Sequence, residues 1–334
     1  MDRGDRLAYS AGMIGDRPML GIALMLVFCV VVPLSDALAK IATATIPILQ
    51  IILLRFVLGS LLLVPVVLAT GRSLLLPKGL FGQVALRTFF HVAASCAMLV
   101  ALRHLPLAET LAIVFVQPFM MMLTAWLFLG ESSGPRRLAA CAAGFLGTLL
   151  VIQPAFAEAG WVVLLPLLTA ALFTVFMLIT RRIAKSCDPL SLQAVSGLLA
   201  LPLLAPLFLF GPALGLPDTG LILPDASGWA LLVGISVLAT VAHLMMTLSL
   251  RFAPASMVAP IQYLELPVAV VVGWLLFRDF PDALALLGIA VILVSGLYMM
   301  ARERAVSLAA SSAPPMPKPV RPEAAAPASE PRKD

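Results

Sequence analysis

Charge is scarce in this chain. Asp, Glu, Lys and Arg supply 12% of its 334 residues, against 61% apolar ones, and the mean hydropathy is +1.06. So little charge excludes an ordinary soluble domain, which carries about 25% charged residues. Catalytic constellations are missing as well. The chain holds no HExxH, no GxSxG and no paired aspartates placed to face a membrane surface, so a membrane-embedded enzyme is not supported. It has no glycine-rich phosphate loop and no soluble nucleotide domain, which argues against ATP drive within the chain. The four cysteines, Cys29, Cys96, Cys141 and Cys187, are scattered without metal spacing and read as small apolar packing residues. No catalytic residue, metal ligand or cofactor is assigned.

What the chain has in abundance is long apolar runs. Ten of them approach the roughly 20 residues that a bilayer-crossing helix needs: 19–39, 46–69, 83–101, 108–129, 138–152, 161–181, 190–210, 229–250, 256–277 and 282–300. They are continuously apolar rather than alternating, which favours helices over membrane β-strands. Helices also satisfy their own backbone groups in hydrocarbon. The first run imitates a signal peptide, with Arg3, Arg6 and Arg17 ahead of it and Ala37-Leu38-Ala39 in place of a cleavage site. Removing it would leave nine runs, so it is read as a retained span. Lys and Arg crowd the loops on one side, and only Lys40, Arg103 and Arg278 fall on the other. This bias predicts a multi-pass protein with both termini cytoplasmic. The net charge of +5 then describes a membrane-facing surface and is not evidence for nucleic-acid binding.

Two segments 148 residues apart, 103–131 and 251–279, align without a gap. They share Arg103/Arg251, Pro106/Pro254, Ile113/Ile261, Trp126/Trp274 and Leu127/Leu275, and both end in an acid. Each sits at the same place within a set of five runs. Five is odd, so the second set enters the membrane upside down, and inverted repeats of this kind mark membrane transporters. The domain reading is a cytoplasmic N-terminal segment over 1–18, a first repeat over 19–152, a second over 161–300, and a cytoplasmic Ala/Pro-rich tail over 301–334. The tail is expected to be disordered.

Ionisable groups inside a bilayer cost about 2.5–3.5 kcal/mol on insertion scales, so the exceptions are candidates for function. Glu265 stands out. Gln262 lies three residues before it, on the same helix face, with Tyr263 between them and Pro260 and Pro267 disturbing the helix on either side. Substrate contact or proton coupling is weighed here against a structural hydrogen bond. Gln117 occupies the repeat position of Glu265. His91 shares a stripe with Arg87 and Ser95, and Arg87 is expected to snorkel to the cytoplasmic end. His243, on a face with Thr240 and Thr247, reads as a proton relay or ligand donor, or as a packing histidine. Asp36 and Arg55 are expected to pair as a structural or gating ion pair, and Lys40 to snorkel outward. Gln50 and Gln193 are candidate donors to a substrate. Phe173, Phe176 and Met177 can cover a planar ligand or simply pack. Gly144, Gly147, Gly288 and Gly296 suggest close helix approach, which makes the fifth and tenth runs supports around a cavity formed by the others.

Several of these residues carry a family resemblance. Gly130-Glu131 and Arg278-Asp279 precede the fifth and tenth runs. Tyr263-Leu264-Glu265 is followed by Gly273-Trp274 and Asp279-Phe280-Pro281-Asp282, and Asp36-Ala37-Leu38-Ala39-Lys40 and Arg55-Phe56 stand near the start. With them the chain resembles the drug/metabolite transporter superfamily, EamA type, over about residues 19–300. It is similar to the subgroup that includes bacterial riboflavin and S-adenosylmethionine transporters. Arg278 departs from the glycine or asparagine expected before that acid. The resemblance implies an all-α membrane fold of ten helices in two inverted five-helix repeats, a central cavity and alternating access in a bacterial inner membrane. It also implies a small-molecule substrate. Riboflavin uptake leads; S-adenosylmethionine transport, export of an amino acid or metabolite, and a non-transporting scaffold or sensor are the alternatives. A proton is the candidate coupling ion, and monomer and homodimer both stay open.

Overall fold

A computed structural model describes residues 18–77, 79–129, 135–183, 186–252 and 261–311. Residues 1–17, Glu131, Pro254, Pro260 and the tail beyond Ser311 lie outside the described residues, as do the side chains of Met122, Trp126, Thr247 and Arg251. All described secondary structure is helical: α1 (Pro18–Ala42), α2 (Ile48–Ala69), α3 (Phe81–His104), α4 (Leu107–Val114), α5 (Gln117–Leu129), α6 (Pro135–Ala159), a 3-10 turn (Gly160–Leu164), α7 (Leu165–Ile183), α8 (Pro189–Phe210), α9 (Ala226–Phe252), α10 (Glu265–Phe277) and α11 (Ala283–Ser311). Six stretches among the described residues are long and apolar enough to cross a bilayer, one of them the 43-residue run Leu138–Thr180, and three shorter apolar helices accompany them. Large apolar side chains point outward, among them Leu61, Leu146 and Val294, while Asp36, Arg87, His91, Thr110 and Glu265 are buried. That arrangement reverses the soluble pattern and suits a lipid surround.

Aspartates start several of these helices. Asp188 accepts from the backbone N–H of Ser191 at 3.0 Å and precedes Pro189 at the first helical position of α8. Asp225 accepts from Gly228 N–H at 2.8 Å, and Asp282 from Ala285 N–H at 2.6 Å. Each satisfies a donor that the first helical turn leaves open. After α6, Gly160 turns the chain with a φ of +61°, which suits a residue without Cβ. α11 continues to Ser311, so the early part of the tail expected to be disordered is helical.

The closest helix pairs are α1 with α9, α3 with α7, α2 with α8, and α6 with α11. Exchanging each helix for its counterpart in the other repeat turns α1–α9 into α7–α3 and maps α2–α8 and α6–α11 onto themselves. The packing thus obeys an internal two-fold, as a duplicated domain requires. Along the α6–α11 pair the backbones nearly touch: a Cβ added to Gly147 would lie 2.9 Å from the Gly288 carbonyl oxygen. Small residues permit this approach, and in a bilayer close packing is a main source of helix association.

The fourth and ninth runs are not the continuous helices that their apolarity predicts. The fourth breaks at Phe115–Val116, between α4 and α5. The ninth breaks at Tyr263–Leu264, immediately before α10. These positions are equivalent in the repeat. Proline sits just after each break, Pro118 and Pro267, where a first helical turn tolerates a missing N–H. The two breaks face each other, with the Phe115 and Tyr263 ring centroids 5.4 Å apart. Gly296 makes room for the Tyr263 ring, which any side chain there would strike.

Candidate functional site

Both breaks open onto a cavity of about 200 Å³. Its wall comes from α1 to α5, α7, α9, α10 and the residues beside the breaks, and includes no residue of α6, α8 or α11. Gln117 and Glu265, the first residues of α5 and α10, both line it. So do Gln262, His243, Asp36 and Arg55, together with Phe28, Phe115, Phe173 and Phe176. The side chains of Asp36, Arg55, Gln117, Gln262 and Glu265 make no hydrogen bond within 3.5 Å to any described residue. An interior carboxylate or guanidinium in that condition is costly unless water or a ligand meets it.

Two of the sequence candidates sit elsewhere. Tyr263 is buried at the break against Phe115 and Gly296, and does not line the cavity. His91 lies behind the wall, among the rings of Phe56, Phe173, Phe176 and His243 at 5.0, 5.6, 4.7 and 5.7 Å. Asp36 and Arg55 face the same space and feel each other's charge, but no ion pair within 4.0 Å joins them. His243 donates through Nδ1 to the Ala239 carbonyl at 2.8 Å, because a carbonyl can only accept. Nε2 is therefore its acceptor face.

Other polar residues hold the frame. Arg87 does not snorkel. It is buried, donates to Ser196 Oγ at 2.7 Å, Thr180 Oγ1 at 2.8 Å and Gln193 Oε1 at 3.5 Å, and rests 4.4 Å from the centroid of the Phe176 ring. It thereby ties α3 to α7 and α8. Lys40 donates from its ammonium to the Leu105 carbonyl at 2.5 Å and lies 3.6 Å from the partly exposed Asp279. Gln50 clamps the backbone of Ile222, donating at 2.8 Å and accepting at 3.0 Å, so it does not face the cavity. Arg103 grips Asp218 with two bonds of 2.8 Å. At the other end of α2, about 33 Å away at 1.5 Å per residue, Arg72 pairs with Asp188 at 2.7 Å.

Sequence reasoning missed Phe115 and Cys29. Phe115 is the repeat partner of Tyr263, so the 148-residue offset was a signal for it. Cys29 donates to the Ile261 carbonyl at 3.2 Å, next to the break in the ninth run; nothing in the sequence marks it out from the other three cysteines.

The pattern of the EamA-like transporter family matches residues 19–153 and 160–301. The chain is 30% identical to a riboflavin transporter of Brucella anthropi over 76% of this chain and 88% of that one. It is 35% identical to a riboflavin transporter of Rhizobium johnstonii over 62% and 66% of the two chains. To the pseudopaline exporter CntI of Pseudomonas aeruginosa it is 25% identical, over 85% and 96%. An apolar helical bundle around a polar cavity, matched twice by one family, identifies the chain as a member of the EamA-like transporter family: a multi-pass membrane transporter of small molecules rather than an enzyme.

Proposed function

We propose that this protein is a secondary transporter that takes up riboflavin across a bacterial inner membrane by alternating access. The observation that carries the reading is the cavity wall, where four phenylalanines surround the unengaged amides of Gln117 and Gln262 and the carboxylates of Asp36 and Glu265. Aromatic faces stack on a flat ring system, and amides match the donors and acceptors along a flavin edge. The names of the relatives support the same substrate. In this reading ten spans cross the bilayer: the Leu138–Thr180 run holds two of them, and the broken fourth and ninth runs each count as one. Both termini face the cytoplasm, and the Lys40–Arg103 end faces outward. The two repeats rock about the α6–α11 pair, and the site lies near mid-membrane, a reading supported by the paired breaks, since discontinuous helices flank such sites in other transporters. Glu265, opening α10, contacts substrate or carries a coupling proton. Asp36 and Arg55 act as gating charges that meet in another state of the cycle.

A second reading is outward movement of a metabolite, supported by the likeness to the pseudopaline exporter. Uptake and counterflow in proteoliposomes, with riboflavin, S-adenosylmethionine and an amino-acid panel, with and without a pH gradient, separates the readings. Riboflavin counterflow that falls at least tenfold in Glu265→Gln, with membrane insertion intact, is the expected outcome. No flavin flux in a well-folded preparation refutes the substrate, and undiminished flux in the variant removes Glu265 from the mechanism.

A further inference from the structure

Behind the main cavity lies a second chamber of about 30 Å³. Arg55, Ala239 and His243 belong to both walls, so the two spaces adjoin at these side chains. The chamber is far more polar than the aromatic cavity in front of it, with Ser60, His91, Gln193 and Thr240 completing its polar wall. A water needs roughly 10–15 Å³ of such volume, so the chamber has room for about two oxygen-sized groups.

His91 needs a partner from that space. It is 2% exposed, and neither ring nitrogen meets a hydrogen-bond partner among the described residues. The four surrounding rings prevent it from swinging elsewhere. A buried imidazole with both nitrogens unmet is costly. The neighbours offer mixed chemistry. Arg55 donates, and a neutral His91 ring offers one donor and one acceptor. Gln193 gives its oxygen to Arg87, which leaves its NH2 as the donor. The Thr240 hydroxyl does both. Groups that donate and accept together, as hydroxyls do, suit this wall better than a pure acceptor or a pure donor. The helices approach closely around the chamber: a Cβ added at Gly59 would lie 2.9 Å from Thr240 Oγ1, and one at Gly197 would strike Ser60.

We propose that this chamber is a subsite for the terminal hydroxyls of the substrate's polyhydroxylated side chain, while the flat ring stays among the phenylalanines of the main cavity. The proposal rests on the flavin reading of the cavity. In the empty transporter water holds these positions, and the hydroxyls replace it with equivalent bonds. The chamber thus measures the length and polarity of the tail, and the cavity in front of it takes the ring.

The test is competition against labelled riboflavin in proteoliposomes by unlabelled riboflavin, by lumiflavin (a methyl replaces the hydroxylated chain) and by flavin mononucleotide. The wild-type protein should prefer riboflavin to lumiflavin at least tenfold. His91→Phe and Thr240→Val should each bring that ratio toward one by weakening riboflavin alone. Thr240→Val keeps the side-chain shape, so it remains informative if His91→Phe folds poorly. An unchanged ratio in a folded variant that still transports riboflavin overturns the subsite and leaves the flavin reading standing. Stronger competition by flavin mononucleotide than by riboflavin makes the chamber an anion site and also overturns it. Absence of any flavin uptake overturns the flavin reading and the subsite together.

Discussion

Replacing Arg87 by lysine is expected to destabilise the protein more than replacing it by methionine, although lysine keeps the charge. The two short hydrogen bonds of Arg87, 2.7 and 2.8 Å, join different helices. Interhelical bonds in membrane proteins contribute about 0.6 kcal/mol on average and up to about 1.7. Placement over Phe176 at 4.4 Å adds about 1 kcal/mol, and the 3.5 Å bond to Gln193 adds little. Together these supply about 3 kcal/mol, close to the roughly 2.5–3.5 kcal/mol that holding a cation in the interior costs. Methionine forfeits both sides of that balance while keeping the apolar stem, and Thr180 retains its bond to the Phe176 carbonyl. Its net cost should be about 1 kcal/mol or less. Lysine retains the charge and loses the planar fork that reaches several acceptors at once, so its net cost should be about 2 kcal/mol. Unfolding midpoints of the wild type, Arg87→Met and Arg87→Lys in one detergent decide the matter. A lysine variant as stable as the wild type, or more stable than the methionine variant, refutes the balance.

Gly288→Ala should lower the unfolding midpoint by the equivalent of about 1–3 kcal/mol, because its Cβ would lie 2.6 Å from the Gly147 carbonyl oxygen and 2.7 Å from Val151 Cγ2; an unchanged midpoint would show that α6 and α11 separate freely. The two bonds from the Arg103 guanidinium hold the Asp218 carboxyl below its usual range. A depressed folded-state value gives a stabilisation that is complete above the unfolded value of about 3.9 and fades as pH falls through the folded one. The wild type should therefore be more stable than Asp218→Asn near neutral pH and lose that advantage below about pH 4. Midpoints of both proteins between pH 3 and 7 give the comparison, and a difference as large at pH 3 as at pH 7 contradicts it.

Glu265 and Gln117 were legible as cavity residues because a charge within an apolar run is conspicuous and the 148-residue offset links the two positions. Gln262 and His243 stood out as polar residues within apolar runs, whereas Asp36 and Arg55 were read as an ion pair and instead line the cavity. The breaks were not. Phe115-Val116 and Tyr263-Leu264 are apolar or aromatic pairs without glycine, and the prolines that bracket Glu265 drew attention to either side of the true position. The fate of Arg87 was also hidden, since a cation near a helix end can reach outward or inward. The hydroxyls of Thr180 and Ser196 on other helices settled it inward. Lys40 and Gln50 are drawn to backbone carbonyls that sequence spacing does not reveal. His91 was found as a polar outlier, but which side of the wall it occupies depends on four rings from three other helices.

The paired breaks also set the electrical character of the cavity. α5 and α10 both begin at its wall, and each helix start carries about +0.5 of an elementary charge. Against one guanidinium, Arg55, the wall sets two carboxyls, Asp36 and Glu265. The two helix starts together supply about one positive charge, enough to offset one ionised carboxyl at the wall. A duplication that broke both copies at one position has thus supplied positive potential without a second buried cation.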